Sequence, residues 1–337
     1  MTKAAIISGT TGQDGSYLTE FLLDKGYNVF GIVRRTTYPI YNSNLNSTTL
    51  KNSKFKIYDA DITDQSSLNK VFQDAKNYDQ IEVYNLAAQS HVGVSFGSPV
   101  VTVETNLIGT LNLLEVIKHS GFSEKIKFYQ ASTSEMFGKI AETPQNEQTR
   151  FYPRSPYGVS KLAAHWMVIN YRESYNIFAC CGILFNHESP RRGENFVTQK
   201  IVKCLSKPKP YLEIGNLESR RDWGHANDYV KAMWLMLQQE KPDDFIVSSG
   251  EQHSVREFVK LVCEQLNIQI TWEGEGIHEI GKDQLGNIIV KVSEEFFRPC
   301  EVDTLLGDCS KIKSIGWKPE YTFTGLVKDM CFPPTKN

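Results

Sequence analysis

The sequence predicts an α/β fold, a doubly wound parallel sheet followed by a smaller mixed α/β region. A short apolar strand at residues 3–8 runs directly into a glycine-rich turn, and strand-like runs then alternate with helical patterns as far as residue 185. Several of these strands are followed at once by polar clusters. Strands that alternate with helices form parallel sheets covered on both faces, and such sheets bind ligands beyond the carboxyl ends of their strands.

Composition narrows the class of protein. The chain has 337 residues, 40% of them hydrophobic, which is enough for a large core. The formal net charge of -2, without any basic block, argues against nucleic acid as a partner. Seven cysteines without a C-x-x-C pair predict free thiols in a reducing compartment. No signal peptide or apolar run of about 18 residues is evident, so we expect a cytoplasmic protein without a membrane partner.

The first strand leads into Gly9-Thr-Thr-Gly-Gln-Asp-Gly15, which opens a helical pattern at Ser16. Strand, glycine turn and helix in this order are the context of a Rossmann-type dinucleotide site. Gly9, Gly12 and Gly15 would let the backbone approach a pyrophosphate at the helix N-terminus, with Gln13 and Asp14 beside it. The spacing is G-x-x-G-x-x-G, and a plain glycine turn is the alternative.

The next three strands predict the rest of the cofactor site. The strand at 27–33 ends in Arg34 and Arg35, where an NAD site usually has an acidic residue. Arginine pairs with a 2′-phosphate, so we predict NADP, with a solvated basic loop as the alternative. The strand at 55–61 ends at Asp61, which could meet the adenine, followed by Ile62. The strand at 82–88 leads into Gln89-Ser90-His91, which is small and polar enough to pass beneath the cofactor. Leu86, Ala87 and Ala88 would contact the cofactor, and the alternative is that Asn85 to Ala88 pack in the core.

Two further stretches carry catalytic chemistry. The strand from Phe128 runs into Ser132-Thr133-Ser134-Glu135, which offers a hydroxyl and a carboxylate for general acid/base work or, alternatively, a helix capping box. Downstream, Tyr157 and Lys161 lie four residues apart on a predicted helix, so their side chains share one face. Bringing the phenol pKa from about 10 to neutrality costs about 4 kcal/mol. A lysine ammonium about 4 Å away would supply that, unless the pair is only a solvated helix face.

The chain beyond residue 185 begins with a dense polar cluster, Asn186-His-Glu-Ser-Pro-Arg-Arg-Gly193. His187 has no companion His or Cys at ligand spacing, so we predict no metal site. Shorter strands and helices follow without a glycine fingerprint. We therefore expect an NADP-binding domain with the catalytic residues at 1–185 and a mainly substrate-binding region at 186–337, some of whose elements return to the first domain.

In this order, the motifs resemble the extended short-chain dehydrogenase/reductases that act on nucleotide sugars. Within that group the chain is similar, from Lys3 to about Trp317, to the GDP-mannose 4,6-dehydratase family. The similarity rests on Gly12-Gln-Asp-Gly-Ser-Tyr-Leu18, the polar cluster after residue 185, Arg221-Asp-Trp-Gly-His225 and Arg298-Pro-Cys-Glu-Val302. Ser134 is the most telling residue, because dTDP-glucose dehydratases generally have Thr-Asp-Glu where this chain has Thr133-Ser-Glu135.

The resemblance implies dehydration of GDP-mannose to GDP-4-keto-6-deoxy-mannose, toward GDP-fucose or GDP-rhamnose. Thr133, Glu135, Tyr157 and Lys161 would be catalytic. His187 and Arg192 would join the glycines, Arg35, Asp61 and Lys161 at NADP. The GDP-sugar site would consist of Ser90, Ser134, Asn186, Val197, Lys200, Arg221, Arg298 and Glu301. Residues 34–49 resemble a family segment that joins subunits at the cofactor, which implies a homotetramer, with a dimer as the alternative. Val101 departs from the family, where an aromatic residue is expected in bacterial relatives.

Three other functions stay open at this point. A nucleotide-sugar 4-epimerase uses the same fold, tyrosine and lysine but needs no base at C5. A dTDP-glucose 4,6-dehydratase generally has Thr-Asp-Glu where this chain has Thr133-Ser-Glu135, and its substrate carries dTDP in place of GDP. A non-catalytic NADP-binding sensor or scaffold would not require both Tyr157 and Lys161. A second activity, reduction of the 4-keto product to GDP-rhamnose, also stays open.

Overall fold

A computed structural model describes residues 1–35, 37, 40, 43–207, 211–297, 302 and 304–333. In chain order the strands are β1 (Lys3–Ser8), β2 (Asn28–Val33), β3 (Phe55–Asp59), β4 (Gln80–Asn85), β5 (Ile126–Thr133), β6 (Phe178–Leu184), β7 (Asn186–Glu188), β8 (Leu212–Ile214), β9 (Arg220–Arg221), β10 (Trp223–His225), β11 (Asp244–Val247), β12 (His253–Ser254), β13 (Thr271–Glu273), β14 (Ile280–Lys282) and β15 (Ile288–Val292). The helices are α1 (Gln13–Asp24), α2 (Ser47–Leu50), α3 (Gln65–Ala75), α4 (Val92–Gly97), α5 (Pro99–Val103), α6 (Gly109–Lys118), α7 (Pro156–Tyr175), α8 (Val197–Leu205), α9 (Ala226–Leu237), α10 (Val255–Gln265), α11 (Ser310–Ser314) and α12 (Phe323–Cys331).

The predicted doubly wound sheet is confirmed. Seven parallel strands lie in the order β11-β6-β5-β4-β1-β2-β3. One apolar core packs on each face, and the inner strand β1 is fully buried from Ala4 to Ile7. The direction of strand addition reverses between β1 and β4, and an open sheet of this kind has its binding crevice at that point.

A helical run between β4 and β5 covers the sheet and contains a π turn. The turn, Glu104–Ile108, joins α5 to α6. Leu107 and Leu111 are only half-buried, whereas Leu113, Leu114 and Ile117 are fully buried. A π turn contains more residues per turn than an α-helix, so the inward face shifts along the sequence.

The same run, Pro99–Lys118, is long and apolar enough to cross a membrane by length and composition, with a mean hydropathy of 1.4. Half of it is buried inside the protein, and the core helix of a soluble protein meets the same criterion. Such a helix is weak evidence for a membrane span.

The region beyond residue 185 builds a core of its own. A four-stranded sheet, in the order β13-β14-β15-β8, packs with α8, α10 and α12 around an apolar cluster that includes Trp223 and Phe258. Two elements return to the first sheet: β11 pairs with β6, and α9 packs against α1. The boundary at residues 185 and 186 stays a prediction.

Candidate active site

A cavity of about 2090 Å³ opens at the carboxyl edge of the large sheet. Every described residue that the sequence predicts for catalysis, cofactor binding or substrate binding lies on its wall. These are Gly9, Gly12, Gln13, Asp14, Gly15, Arg34, Arg35, Asp61, Ile62, Leu86, Ala87, Ala88, Ser90, Thr133, Ser134, Glu135, Tyr157, Lys161, Asn186, His187, Arg192, Val197, Lys200 and Arg221. The predicted Arg298 and Glu301 lie outside the described residues, and the individual roles stay predictions.

The glycine turn forms a tight cradle at one end of the cavity. Gly9 has a φ of 72°, and the Gly12 amide donates to the Gly9 oxygen at 3.0 Å. A Cβ atom on Gly15 would lie 2.2 Å from that same oxygen. Gly12 caps α1 without a side-chain hydrogen bond, and the first-turn residues Gln13, Asp14 and Gly15 line the cavity. Free amides at a helix N-terminus bind phosphate, and the cradle therefore fits a dinucleotide pyrophosphate.

The ends of β1 and β4 are tied together beside this cradle. The Ser8 hydroxyl donates to Asn85 at 2.7 Å and accepts the amides of Leu86 and Ala87 at 3.0 and 3.1 Å. Asn85 is buried, which agrees with the core-packing alternative at that position. Residues 86–88 leave the predicted strand, because β4 ends at Asn85, and they line the cavity instead.

The predicted adenosine end lies beyond β2 and β3. Arg35 is 3.8 Å from Asp59, and both side chains are largely exposed. An exposed ion pair of this kind contributes little to stability, so the Arg35 guanidinium can bind a ligand instead. β3 ends at Asp59 rather than at Asp61, whose carboxylate accepts both the amide and the hydroxyl of Thr63, at 2.9 and 2.8 Å. Asp61 therefore also shapes the local turn.

The two predicted catalytic stretches meet in the centre of the cavity. β5 ends at Thr133, and a short 3₁₀ turn, Ser134–Met136, follows it. The Thr133 hydroxyl accepts the Glu135 amide at 3.2 Å, so it caps this turn, although no long helix follows. Tyr157 lies on the same wall of the cavity, and the Thr133 side chain opposes the rise in the Tyr157 pKa that burial causes. The threonine therefore acts both on the turn that carries Glu135 and on the tyrosine of the helix that carries Lys161.

Helix α7 begins where the sequence predicts it. Ser155 accepts the Gly158 amide at 3.0 Å, and Pro156 follows at the first helical position. Both features favour a helix start. Tyr157 lies in the first turn, Lys161 lies one turn further along, and both are buried. The alternative of a solvated helix face is therefore wrong for this pair.

The expected lowering of the Tyr157 pKa by Lys161 is not found. Burial raises the pKa of Tyr157 to about 12, the Thr133 side chain opposes that rise, and the charge of Glu135 adds to it. The Lys161 ammonium donates instead to the main-chain oxygen of Ala131, at 3.0 Å. Burial in turn lowers the pKa of Lys161 to about 8. Loss of solvation on burial therefore affects the Tyr157 pKa more than the attraction to Lys161 that was expected from their helical spacing.

The side chains of the polar cluster after residue 185 form hydrogen bonds and ion pairs that the sequence did not predict. His187 contacts Asp14 through Nε2 at 2.8 Å. Glu188, which the sequence analysis did not single out, is buried, accepts the Thr198 hydroxyl at 2.6 Å and lies 3.0 Å from Arg192. The spacing of Glu188 and Arg192, four residues apart directly after a strand, was the signal that could have indicated this pair.

The far wall of the cavity belongs to the C-terminal region. Lys200 lies 3.5 Å from the centre of the Phe296 ring, and burial lowers its pKa. Arg221 is buried and donates to the Arg220 oxygen at 2.9 Å. Cations on this wall, opposite the catalytic turn, suit the phosphates of a nucleotide substrate. In the part of the chain that the structure describes, no group of three His, Cys, Asp or Glu could hold a metal ion.

The fold is of the Rossmann type, with a cavity at the carboxyl edge of the large sheet. Its solved relatives include a UDP-glucose 4-epimerase from Thermus thermophilus in complex with NAD, with a TM-score of 0.80, 23% identity and coverage of 98% of this chain and 100% of that one. RMD from Pseudomonas aeruginosa, complexed with NADPH, has a TM-score of 0.75 at 22% identity and covers 98% of each chain. At such identities the likeness establishes the fold alone.

The chain belongs to the GDP-mannose 4,6-dehydratase family, because the family model described as "GDP-mannose 4,6 dehydratase" matches residues 6–330. A GDP-mannose 4,6 dehydratase from Drosophila melanogaster is 52% identical over 97% of this chain and 85% of that protein. The Homo sapiens GDP-mannose 4,6 dehydratase is 49% identical over 97% of this chain and 90% of that protein.

Proposed function

We propose that this protein dehydrates GDP-mannose to GDP-4-keto-6-deoxy-mannose. The observation that carries the proposal is the meeting of Thr133, Glu135 and Tyr157 in one cavity with a dinucleotide cradle. Family membership supplies the nucleotide sugar. The carboxylate distinguishes this site from that of a 4-epimerase, which has no use for a base beside C5.

The chain's own residues account for the first proton transfer. Tyr157 takes the proton of the C4 hydroxyl, and Thr133, on the same wall of the cavity, holds the same oxygen in place. A nicotinamide cofactor held by the Gly9, Gly12 and Gly15 cradle would supply the hydride acceptor for C4 and the hydride donor for C6, with no net change in the cofactor. Lys161 donates to the main-chain oxygen of Ala131 and so holds the helix that carries Tyr157 against the strand that leads to Thr133.

Glu135 acts as the base and the proton donor in the elimination of water. The C4 ketone acidifies the C5 hydrogen, and the Glu135 carboxylate removes it as a proton. The C6 hydroxyl leaves as water with the proton that Glu135 returns, because Ser134 stands where an acidic residue could otherwise have supplied it. C6 then gains hydride and C5 a proton, which balances the proton taken at C4.

NADP is the cofactor proposed for this site. Arg34 and Arg35 follow β2 on the cavity wall, where an acidic side chain would favour the ribose hydroxyl of NAD. Planar guanidinium groups suit a 2′-phosphate. On the substrate side, Asn186, Val197, Lys200 and Arg221 are proposed to bind the nucleotide sugar, together with Ser90 and Ser134.

We further propose a cytoplasmic homotetramer, with a dimer as the alternative. Residues 34–49 would join subunits, and Asn44 of this segment donates to the Arg191 oxygen at 3.2 Å, beside the cofactor cradle. The covering helices also expose apolar side chains, including Val100 at 66% and Trp166 at 55%. Patches of this kind are covered in assemblies. Sedimentation analysis would test the assembly.

The function is tested by incubating the purified protein with GDP-mannose and catalytic NADP+ and following the sugar by mass. Loss of one water without accumulation of NADPH is the expected result. An unchanged mass with inverted stereochemistry at C4 would indicate an epimerase. No change with GDP-mannose, but turnover of a dTDP-sugar, would transfer the assignment to that nucleotide, and no turnover of any nucleotide sugar would leave a non-catalytic NADP-binding role.

A further inference from the structure

Glu188 is a buried carboxylate that the proposed proton transfers do not use. It is 2% exposed and lies on the cavity wall, in the short strand β7, where it pairs in register with His225 of β10. A buried charge is costly unless other groups compensate it. The groups that contact Glu188 therefore indicate what this carboxylate does.

Two side chains compensate the charge of Glu188, and both contact its Oε2 atom. The Thr198 hydroxyl donates to Oε2 at 2.6 Å, and the Nε atom of Arg192 lies 3.0 Å from it. This Nε is buried and has no hydrogen-bond partner among the described residues, so Arg192 and Glu188 attract each other as an ion pair. Thr198 is fully buried. One oxygen of Glu188 therefore joins Arg192 to Thr198.

Phe196 holds Arg192 from a second direction. The central carbon of the guanidinium lies 3.7 Å from the centre of the Phe196 ring, within the range of a cation above an aromatic face. Arg192 lines the cavity and keeps 17% of its side chain exposed. The carboxylate and the ring together restrict the arginine to one position on the wall. A guanidinium that is already in place binds a phosphate with less loss of side-chain entropy.

Thr198 connects the same carboxylate to helix α8. Thr198 lies in the first turn of α8, and Phe196 precedes this helix without forming a side-chain cap. A carboxylate beside the first turn of a helix stabilises that turn through the helix dipole, so Glu188 fixes the start of α8. Val197 and Lys200 lie in the same helix and on the cavity wall, and both are proposed to bind the nucleotide sugar.

We propose that Glu188 is a positioning residue that holds Arg192 for the cofactor and the start of α8 for the nucleotide sugar. One buried carboxylate thus serves both binding sites. The assignment of those two sites rests on the proposed function, whereas the contacts of Glu188 lie within the chain itself. Glu188 acts through Arg192 and Thr198 and is not a catalytic residue.

Ligand binding tests the proposal without turnover. The dissociation constants of NADP+ and of GDP, the nucleotide of the proposed substrate, are measured by calorimetry on the full chain. Glu188→Gln should weaken the binding of both ligands about tenfold, because loss of the charge releases Arg192 and the start of α8 together. Thr198→Val keeps the shape of the side chain but removes the hydroxyl. It should weaken the binding of GDP and leave that of NADP+ unchanged.

A double-mutant cycle separates positioning from a general loss of structure. Arg192→Gln alone should weaken the binding of NADP+. Glu188→Gln added to Arg192→Gln should weaken it no further, because the carboxylate acts on this ligand only through the arginine. A merely structural effect of Glu188→Gln would instead add to that of Arg192→Gln.

Glu20→Gln is the matched control. It breaks the ion pair of the neighbouring Arg191, where the two groups are 2.8 Å apart, and neither of these residues is on the cavity wall. This variant should bind both ligands as the unmodified protein does.

Glu188→Asp replaces Glu188→Gln if the glutamine variant does not fold. Its carboxylate is one methylene shorter and cannot contact both partners, so at least one of the two dissociation constants should rise. Unchanged affinities for both ligands, or an additive cycle, would overturn the proposal. An unmodified protein that binds NADP+ and GDP without dehydrating GDP-mannose would reject the proposed function but not the role of Glu188. An unmodified protein that binds neither ligand would reject both.

Discussion

The Nζ atom of Lys161 lies 3.0 Å from the main-chain oxygen of Ala131. Ala131 lies in β5, two residues before Thr133, and Lys161 lies in α7. This hydrogen bond therefore fixes the helix with the tyrosine against the strand whose turn carries the carboxylate. Lys161 thus joins α7 to β5 in addition to placing a charge in the cavity. Substitution of Lys161 tests which of the two effects is larger.

Lys161→Met should produce a more stable but inactive protein. At pH 7 the buried ammonium, with its pKa lowered to about 8 from 10.5, costs about 3 kcal/mol at most. The methionine variant should therefore unfold with a higher free energy at pH 7, and this advantage should disappear as pH rises toward 10.5. Denaturant unfolding at a series of pH values is the measurement, with the exposed Lys70→Met as control. A stability loss at pH 7 would mean that the Ala131 bond dominates.

Glu135→Gln should abolish loss of water from GDP-mannose. The amide occupies the same volume but has no basic oxygen for the C5 hydrogen, and we expect turnover to fall by at least a hundredfold, the lower part of what general bases contribute. NADP+ affinity, measured by calorimetry, should be unchanged. The surface variant Glu124→Gln should behave as the unmodified protein. Undiminished water loss in Glu135→Gln would reject the carboxylate as the base.

Arg35→Ala should weaken NADP+ binding far more than NAD+ binding. A hydrogen bond to a charged group contributes roughly 1.5 to 3 kcal/mol, so the NADP+ dissociation constant should rise about tenfold or more. The existing contact to Asp59 is exposed, and its loss should not affect stability measurably. Calorimetric titration with both dinucleotides is the test, and Arg150→Ala controls for general charge. Equal losses for both cofactors would argue against a 2′-phosphate contact.

Gly15→Ala should damage both the fold and the cofactor site. The added methyl group would lie 2.2 Å from the Gly9 oxygen, so the turn must move. Overpacking of this kind costs about 1 to 3 kcal/mol, and the displaced amides should bind either dinucleotide at least tenfold more weakly. Gly97→Ala meets nothing within 4 Å and is the control. A Gly15→Ala protein with normal stability and normal cofactor affinity would contradict the tight cradle.

Much of the site could be predicted because it consists of short local patterns. The glycine turn, Gly9, Gly12 and Gly15, was predicted because a strand leads directly into a helix there. Tyr157 and Lys161 were predicted as neighbours because they are four residues apart on one helix. Strand ends were less predictable: the sequence extended β3 to Asp61 and β4 to Ala88, whereas pairing stops at Asp59 and Asn85. Apolar character continues past the last paired residue, and composition alone does not mark where the ladder ends.

The sequence by itself determined the sheet, the glycine turn and many of the residues that line the cavity, because hydrophobic periodicity and turn chemistry act over a few neighbouring residues. Only the tertiary structure decided their electrostatics. Asp14 and His187 are 173 positions apart, and Glu188 reaches Arg192 through a turn that folds back on itself. Burial then raised the pKa of Tyr157 and lowered that of Lys161, opposite to the expectation for the tyrosine. The pKa of a buried group depends on its distance to other charges and on the local dielectric constant. Both are set only when segments distant in sequence pack together.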